Sequence, residues 1–263
     1  RSWDLSGTFG AQEDKMPDKP SVIRETDNDA RRQARILLRG ARFAAIGVID
    51  PETRFPSVSR VLLGSDIDGA AIILVSGLSA HTKALSADPR ASLLTGEPGK
   101  GDPLAYARLS VQCVAEAVER DSESHMRLRA RFLARHPKSA LYIDFPDFRF
   151  FRLVPRSASL NGGFGRAYIL SEDDFIIGKP NGDLFDSEQK TLLDLGERFP
   201  NLASQIATEL HKAAPGKWAF CGFDSHGIDI IYKDLLVRHE FAAPVETQEQ
   251  LFLELPNSAY AVP

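Results

Sequence analysis

Residues 74–94 read LVSGLSAHTKALSADPRASLL, and this stretch decides how the chain folds. Its apolar start predicts a strand, and the residues around Gly77 predict a tight turn into a short helix. Pro89 is expected to stop that helix, and RASLL predicts the next strand. The stretch is therefore typical of a strand, a helix and a second strand, with small hydroxyl residues and a lysine at the helix start.

The predicted helix start carries Ser79, His81, Thr82 and Lys83. Free N–H groups and the helix dipole both favour an anion at such a position. Ser79 is the expected N-cap, which would leave the N–H groups of His81 and Thr82 free. A phosphorylated cofactor is the first hypothesis. The alternative is that Ser79 only caps the helix and that Lys83 is solvated.

Arg60, in the preceding apolar segment SRVLL, is the second candidate for the same site. An arginine offers a two-pronged donor to phosphate, and Lys83 offers a point charge. Together they would balance the two negative charges of a phosphate. The alternative is again a solvated side chain.

Composition limits the classes of function. The formal charge of −4 argues against a broadly basic nucleic-acid surface, and no apolar run is long enough for a membrane span. Cys113 and Cys221 lie far apart without CxxC spacing, which favours buried free thiols. Free thiols fit a reducing compartment, so a cytoplasmic location is expected.

The rest of the sequence predicts a barrel followed by a smaller unit. Residues 1–25 lack periodicity and predict a mobile N-terminal arm. Residues 26–172 contain helix signals at 26–40 and 122–136 and a series of strands, of which the last two are predicted at 148–155 and 157–170. Because hairpins join most of these strands, we expect an antiparallel six-stranded β-barrel with outer helices.

After the turn KPNGD at 179–183, residues 183–263 predict a small α+β domain. Its helices are expected at 187–197, 202–212 and 246–256, and its strands lie between residues 217 and 241. The whole chain is thus placed in the α+β class.

Three segments in order, SRVLL, residues 74–94 and RLSVQCVAEAVER at 108–120, resemble the FMN-binding split barrels related to pyridoxamine 5′-phosphate oxidase. In that family the arginine of the R-V-L-L strand and the hydroxyl and basic residues at the next helix start hold the FMN phosphate. The resemblance carries these roles to Arg60, Ser79, Thr82 and Lys83. Val61, beside Arg60, and His81, which could donate a hydrogen bond, complete the predicted cofactor contacts.

The S-x-H-T form and the later DFRFFRLVPRSASLNGGFGRA resemble the heme-utilisation, HugZ-like branch of that family. Glycines in NGGFGRA would let a flat ligand approach the backbone, and Arg166 could pair with a carboxylate such as a heme propionate. The alternative is a barrel bulge with a surface arginine. FDSHGIDIIY resembles the small domain that follows these barrels, although the His-rich run usual on its first helices is missing from residues 188–210.

The resemblance implies an FMN-dependent oxidoreductase that forms a homodimer with its cofactor at the subunit interface. The alternative is a heme-binding or heme-degrading protein, and a third reading is a non-enzymatic binding protein of tetrapyrrole pathways. No catalytic residue is identified, and no metal site is predicted because no two histidines have ligand spacing. His125 and His136 are expected to face solvent.

Overall fold

The computed structural model describes residues 23–163, 165–177 and 187–260, with backbone only for 258–260. The predicted turn at 179–183 and residues 1–22 of the predicted arm lie outside these ranges. The six α-helices of the described residues are α1 (Asn28–Arg39), α2 (Ala80–Ala87), α3 (Glu123–Arg135), α4 (Glu188–Arg198), α5 (Leu202–Gln205) and α6 (Gln248–Tyr260).

Twelve strands lie in the described part of the chain and form two sheets. The larger sheet contains β1 (Ile23–Arg24), β2 (Phe43–Ile49), β3 (Pro56–Leu62), β4 (Gly64–Ser65), β5 (Ala71–Ser76), β6 (Arg90–Thr95), β7 (Arg108–Ala117), β8 (Phe148–Asn161) and β9 (Ala167–Ser171). The smaller sheet contains β10 (Ala219–Asp224), β11 (Gly227–Tyr232) and β12 (Leu235–Glu240).

Local capping sets the ends of α1 and α3. The Asp27 side chain accepts from the Ala30 N–H at 2.8 Å, and the Gly40 N–H closes α1 on the Ile36 carbonyl at 2.8 Å. The Ser122 hydroxyl accepts from the His125 N–H at 3.1 Å at the start of α3. Both helices therefore begin within two residues of the predicted positions.

The larger sheet runs β1-β9-β8-β7-β6-β2-β3, and it divides at the long strand β8. The first half of β8, Phe148 to Leu153, pairs with β5, whereas its second half, Ser157 to Asn161, pairs with β9. Strand β7 pairs along nearly the whole length of β8. This division is consistent with a split barrel.

Two details of the expected barrel are corrected. Nine strands rather than six form the larger sheet of the described residues, and the sheet is mixed because β1 runs parallel to β9. A single strand crosses Pro155, where two strands were expected. Gln112 and Cys113 pair with Ser157 and Pro155, so Arg156 forms a bulge that accommodates the proline.

One face of the larger sheet is buried in the main core, and the other face is open except over β5 and the first half of β8, where α3 covers it. Buried positions such as Ile46, Leu93 and Leu160 join α1 and α2 in the main core. Cys113 lies in this core as a free thiol, and burial raises its pKa to about 12. Cys221 is also buried and free, as the sequence predicted.

The C-terminal elements build a second core on the smaller sheet. Trp218, Phe223 and Ile230 meet residues of α4, α5 and α6 there. The predicted helix at 202–212 is α5 followed by a π-helical turn, Ile206–Leu210. Helix α6 continues past its expected end at Pro256 to Tyr260, so the proline lies inside the helix and does not end it. None of the described helices has the length and hydrophobicity needed to cross a membrane.

Candidate functional site

The turn into α2 is held by the residue that precedes β8. The Ser76 hydroxyl donates to Asp147 Oδ2 at 2.6 Å and accepts from the Leu78 N–H at 3.1 Å. The Gly77 N–H donates to the Asp147 carbonyl at 2.6 Å. The barrel therefore fixes the path of the chain into α2, independently of the helix cap.

Ser79 is the N-cap of α2 by position, but its side chain makes no capping hydrogen bond. Its carbonyl accepts from the Thr82 N–H at 3.1 Å and from the Lys83 N–H at 3.2 Å. The Thr82 N–H is therefore not free, contrary to the expectation. Among the described residues, the N–H groups of Ala80 and His81 have no acceptor, and the first turn of α2 holds no acidic side chain. This helix start can receive an anion.

His81 is held in place by Ser59, a residue that no sequence motif indicated. The Ser59 hydroxyl on β3 lies 3.1 Å from His81 Nδ1. The other ring nitrogen, Nε2, makes no hydrogen bond within the described residues. Partial burial lowers the pKa of His81, so the ring is neutral at pH 7 and can act as a donor or as a ligand through one nitrogen.

Arg60 and Ser59 point to opposite faces of β3, because successive strand residues alternate. Ser59 pairs with the buried Ile46 and contacts α2, whereas Arg60 pairs with Ala45 on the open face. The Arg60 guanidinium lies 5.1 Å from the centre of the Phe43 ring. The structure does not bring Arg60 into contact with the α2 start within one chain. The period-two pattern of SVSRVLL would have shown this.

The remaining predicted residues near α2 differ in whether their side chains can reach a ligand. Thr82 is 3% exposed and its hydroxyl donates to the Ser76 carbonyl at 2.7 Å, so it supports the turn. Val61 is 5% exposed and packs in the main core, which leaves only its backbone for a ligand. Lys83 is exposed and forms no ion pair with another described residue. Lys83 is the cation that α2 presents.

Arg166 lies in the turn between β8 and β9 and away from α2. Its guanidinium donates to the Gly162 carbonyl at 2.9 Å, and the Gly163 backbone has φ of +78°. A side chain at Gly163 would collide with the Ala105 carbonyl, so glycine is required there. Strand β3, which carries Arg60, pairs with β2 and not with β8 or β9. Arg60 is therefore not on a strand paired with the β8–β9 turn that carries Arg166.

The expectation that His125 and His136 face solvent was wrong. His125 is 7% exposed and packs edge-on against Phe150, and His136 is 3% exposed with Nε2 2.9 Å from the Leu63 carbonyl. Both side chains lie on the face of α3 that covers the sheet. No group of three or more His, Cys, Asp or Glu side chains is placed to hold a metal ion in the part of the chain that the structure describes.

Two curated proteins align with this chain. The chloroplastic heme oxygenase HOZ of Arabidopsis thaliana is 36% identical over 115 residues, 44% of this chain and 34% of HOZ. The chain thus matches about a third of the length of HOZ. Heme oxygenase HutZ of Vibrio cholerae is 30% identical over 134 residues, 50% of this chain and 75% of HutZ.

A solved structure extends the likeness to the C-terminal elements. The protein Atu2129 of Agrobacterium tumefaciens, of unknown function, is 29% identical with a TM-score of 0.75, over 87% of this chain and 94% of that one. The sequence profile described as pyridoxamine 5′-phosphate oxidase matches residues 30–161, which include strands β2 to β8 and α2. With half of its length matched, the chain belongs to the pyridoxamine 5′-phosphate oxidase family.

Proposed function

We propose that this protein binds heme and takes part in its oxidative degradation. The observation that carries the proposal is the open start of α2, where Ser79, two backbone N–H groups and Lys83 lie without an anion partner among the described residues. Heme is an apolar ring with two carboxylates, and a carboxylate fits such a helix start. HOZ and HutZ, both named as heme oxygenases, support heme as the ligand.

The residues at α2 fit a propionate in charge and in donor type. Lys83 supplies the positive charge, and the Ser79 hydroxyl and the His81 N–H supply hydrogen bonds. The neutral His81 ring, held by Ser59 at Nδ1, keeps Nε2 as a further donor or as a ligand. Heme, when bound, would supply the iron at which oxygen is activated. The chain's own residues would hold the ring and its carboxylates.

FMN is the second candidate, and the observation that favours it is Arg60. A phosphate carries about two negative charges, and Arg60 and Lys83 are both cations without carboxylate partners among the described residues. They lie on opposite sides of β3, which is the last strand in the order of the larger sheet. A phosphate at the edge of β3 would be reached from both sides. The activity would then be that of an FMN-dependent oxidoreductase.

We also propose that the protein is a homodimer joined through the open face of the larger sheet. Strand pairing aligns the outward-facing residues of six neighbouring strands in two adjacent rows across the sheet. The first row contains Val58, Gly47, Ser92, Gln112, Ser157 and Ser171. The second row contains Arg60, Ala45, Leu94, Ser110, Ser159 and Ile169. The centre of this face carries small polar residues around a cavity of about 590 Å³ that Arg90 and Arg156 also line, while Val58, Leu94 and Ile169 are 70%, 48% and 54% exposed. Such a face is suited to a second copy.

Absorption spectroscopy with hemin and with FMN separates the candidates. We expect hemin to produce a Soret band at micromolar concentration, and Lys83→Ala to weaken its affinity by about 1.5–3 kcal/mol, the range for charge-assisted hydrogen bonds. The matched control is Lys190→Ala, which removes an exposed lysine from α4. A flavin spectrum with loss of affinity in both Arg60→Ala and Lys83→Ala would select FMN instead. If neither hemin nor FMN binds, a non-enzymatic binding protein of tetrapyrrole pathways replaces both proposed functions.

A further inference from the structure

Two adjoining cavities flank α4 on the C-terminal unit, away from the α2 start. A pocket of about 440 Å³ lies between α4 and β10, and an open groove of about 880 Å³ lies between α4 and α6. Glu197 lines both of them. The two cavities therefore adjoin each other at Glu197, and together we call them the α4 groove.

The pocket half of the α4 groove is apolar. Trp218 and Leu192 are 5% and 8% exposed and belong to the second core, while Leu193 at the rim is 68% exposed. On the other side of α4, Leu253 of α6 is 60% exposed. A pocket of this size with aromatic walls can hold a large apolar side chain.

The charge on the groove is negative. Asp194, Glu197 and Glu249 line it, and none of these carboxylates forms an ion pair with another described residue. The one cation of the lining is Arg198, which lies between two rings, 5.5 Å from the centre of Phe199 and 5.2 Å from that of Phe252. The carboxylates are thus open to a cation from outside.

We propose that the α4 groove docks a basic amphipathic helix of a partner protein. Apolar side chains at helical spacing would enter the pocket beside Trp218 and cover Leu193, and lysines or arginines between them would meet Glu197 and Asp194. The charge complementarity selects this occupant over an acidic or neutral peptide. The surface is separate from the cofactor site and does not depend on which cofactor is bound.

Fluorescence anisotropy of a labelled peptide tests the docking surface on the full chain. The probe carries leucines at helical spacing and lysines elsewhere, and its controls replace the leucines by serine or the lysines by glutamate. We expect the first peptide alone to bind, with an affinity that falls as salt rises. Glu197→Lys and Leu193→Ser should each weaken binding about tenfold.

Matched variants elsewhere on the same unit distinguish binding in the α4 groove from nonspecific electrostatic or hydrophobic binding. Glu209→Lys makes the same charge change and Leu235→Ser the same apolar loss at exposed positions that do not line the groove. Both should bind the probe as the parent does. Equal weakening by Glu197→Lys and Glu209→Lys would overturn the proposal, as would binding that is unaffected by Leu193→Ser. Self-association lost in Leu193→Ser would instead identify a second copy as the occupant and would also overturn it.

Discussion

Buried charge determines how the barrel helices meet the smaller sheet. Arg39 of α1 pairs with Asp224, and Arg135 of α3 lies 3.3 Å from Asp229. Arg238 of β12 bridges both carboxylates, and all five side chains are at most 4% exposed. Charges removed from water must be paired to be tolerated, so each group here depends on the others.

Arg39→Met should therefore destabilise the protein strongly. Removing one member of a buried pair costs about 3–5 kcal/mol, and here Asp224 would keep only Arg238 as its partner. Arg42→Met is the matched control, since Arg42 pairs with the 63%-exposed Asp234, and such pairs contribute about 0–1 kcal/mol. Urea unfolding measures both. A cost for Arg39→Met no greater than that for Arg42→Met would show that the buried pairs are not coupled.

Two buried histidines make stability depend on pH. Burial lowers the pKa of His136 and of His239 to about 4, from 6.5. The unfolded chain therefore binds more protons between these values, and stability falls as the pH drops from about 6.5 towards 4. The loss approaches roughly 3 kcal/mol per histidine. In His136→Gln, the slope of the unfolding free energy against pH should decrease, because only His239 then contributes to it. An unchanged slope would show that His136 does not contribute to the pH dependence.

Among the elements, α2 and α3 use their N-cap serines differently. Ser122 caps α3 through the His125 N–H, whereas Ser79 makes no cap bond. Ser122→Ala should cost about 1 kcal/mol in urea unfolding, and Ser79→Ala should cost less than about 0.5 kcal/mol. Ser79→Ala should instead weaken binding of the anionic cofactor. Equal stability losses in the two variants would mean that Ser79 is a structural cap.

Elements with local signals were predictable from the sequence. Caps and apolar periodicity placed α1 and α3, and alternation placed most strands of the barrel. The parallel pairing of Ile23 with Ala167 was not predictable, because it joins residues far apart in sequence. The sequence predicted two strands, one on each side of Pro155, where the structure has the single strand β8. The bulge that accommodates this proline arises from the pairing of β8 with β7, which the sequence does not reveal.

The candidate site was predictable in part. The helix start at Ser79 followed from its sequence, but the orientation of Arg60 away from it required the strand register. Ser59 was missed because a lone serine carries no chemical signal of its own. Arg131 and Arg135 lie four residues apart beside Leu128 and Phe132, and this spacing could have indicated arginines on a buried helix face.

On the scale of the whole molecule, we propose that residues 26–172 and 183–263 are two domains that unfold together. The buried ion pairs of Arg39, Arg131 and Arg135 join their helices and sheet, so neither part can open without exposing charge pairs. Calorimetry should show one transition for the parent protein. Two separated transitions would show that the domains are independent.

The proposed dimer makes a second prediction at this scale. Val58→Glu and Leu94→Glu place charges on the open sheet face and should convert a dimer into a monomer in size-exclusion chromatography with light scattering. Leu235→Glu, at an exposed position on the smaller sheet, is the control and should leave the dimer intact. A parent protein that is already monomeric would contradict the proposed interface.

We propose that the start of α2 holds the acidic group of a cofactor, with heme the first candidate. Hemin titration followed at the Soret band tests this proposal, using the parent protein, Lys83→Ala and the control Lys190→Ala. We expect a Soret band for the parent, affinity weakened about tenfold or more in Lys83→Ala, and no change in Lys190→Ala. Absence of a Soret band, or equal affinity in all three proteins, would contradict it.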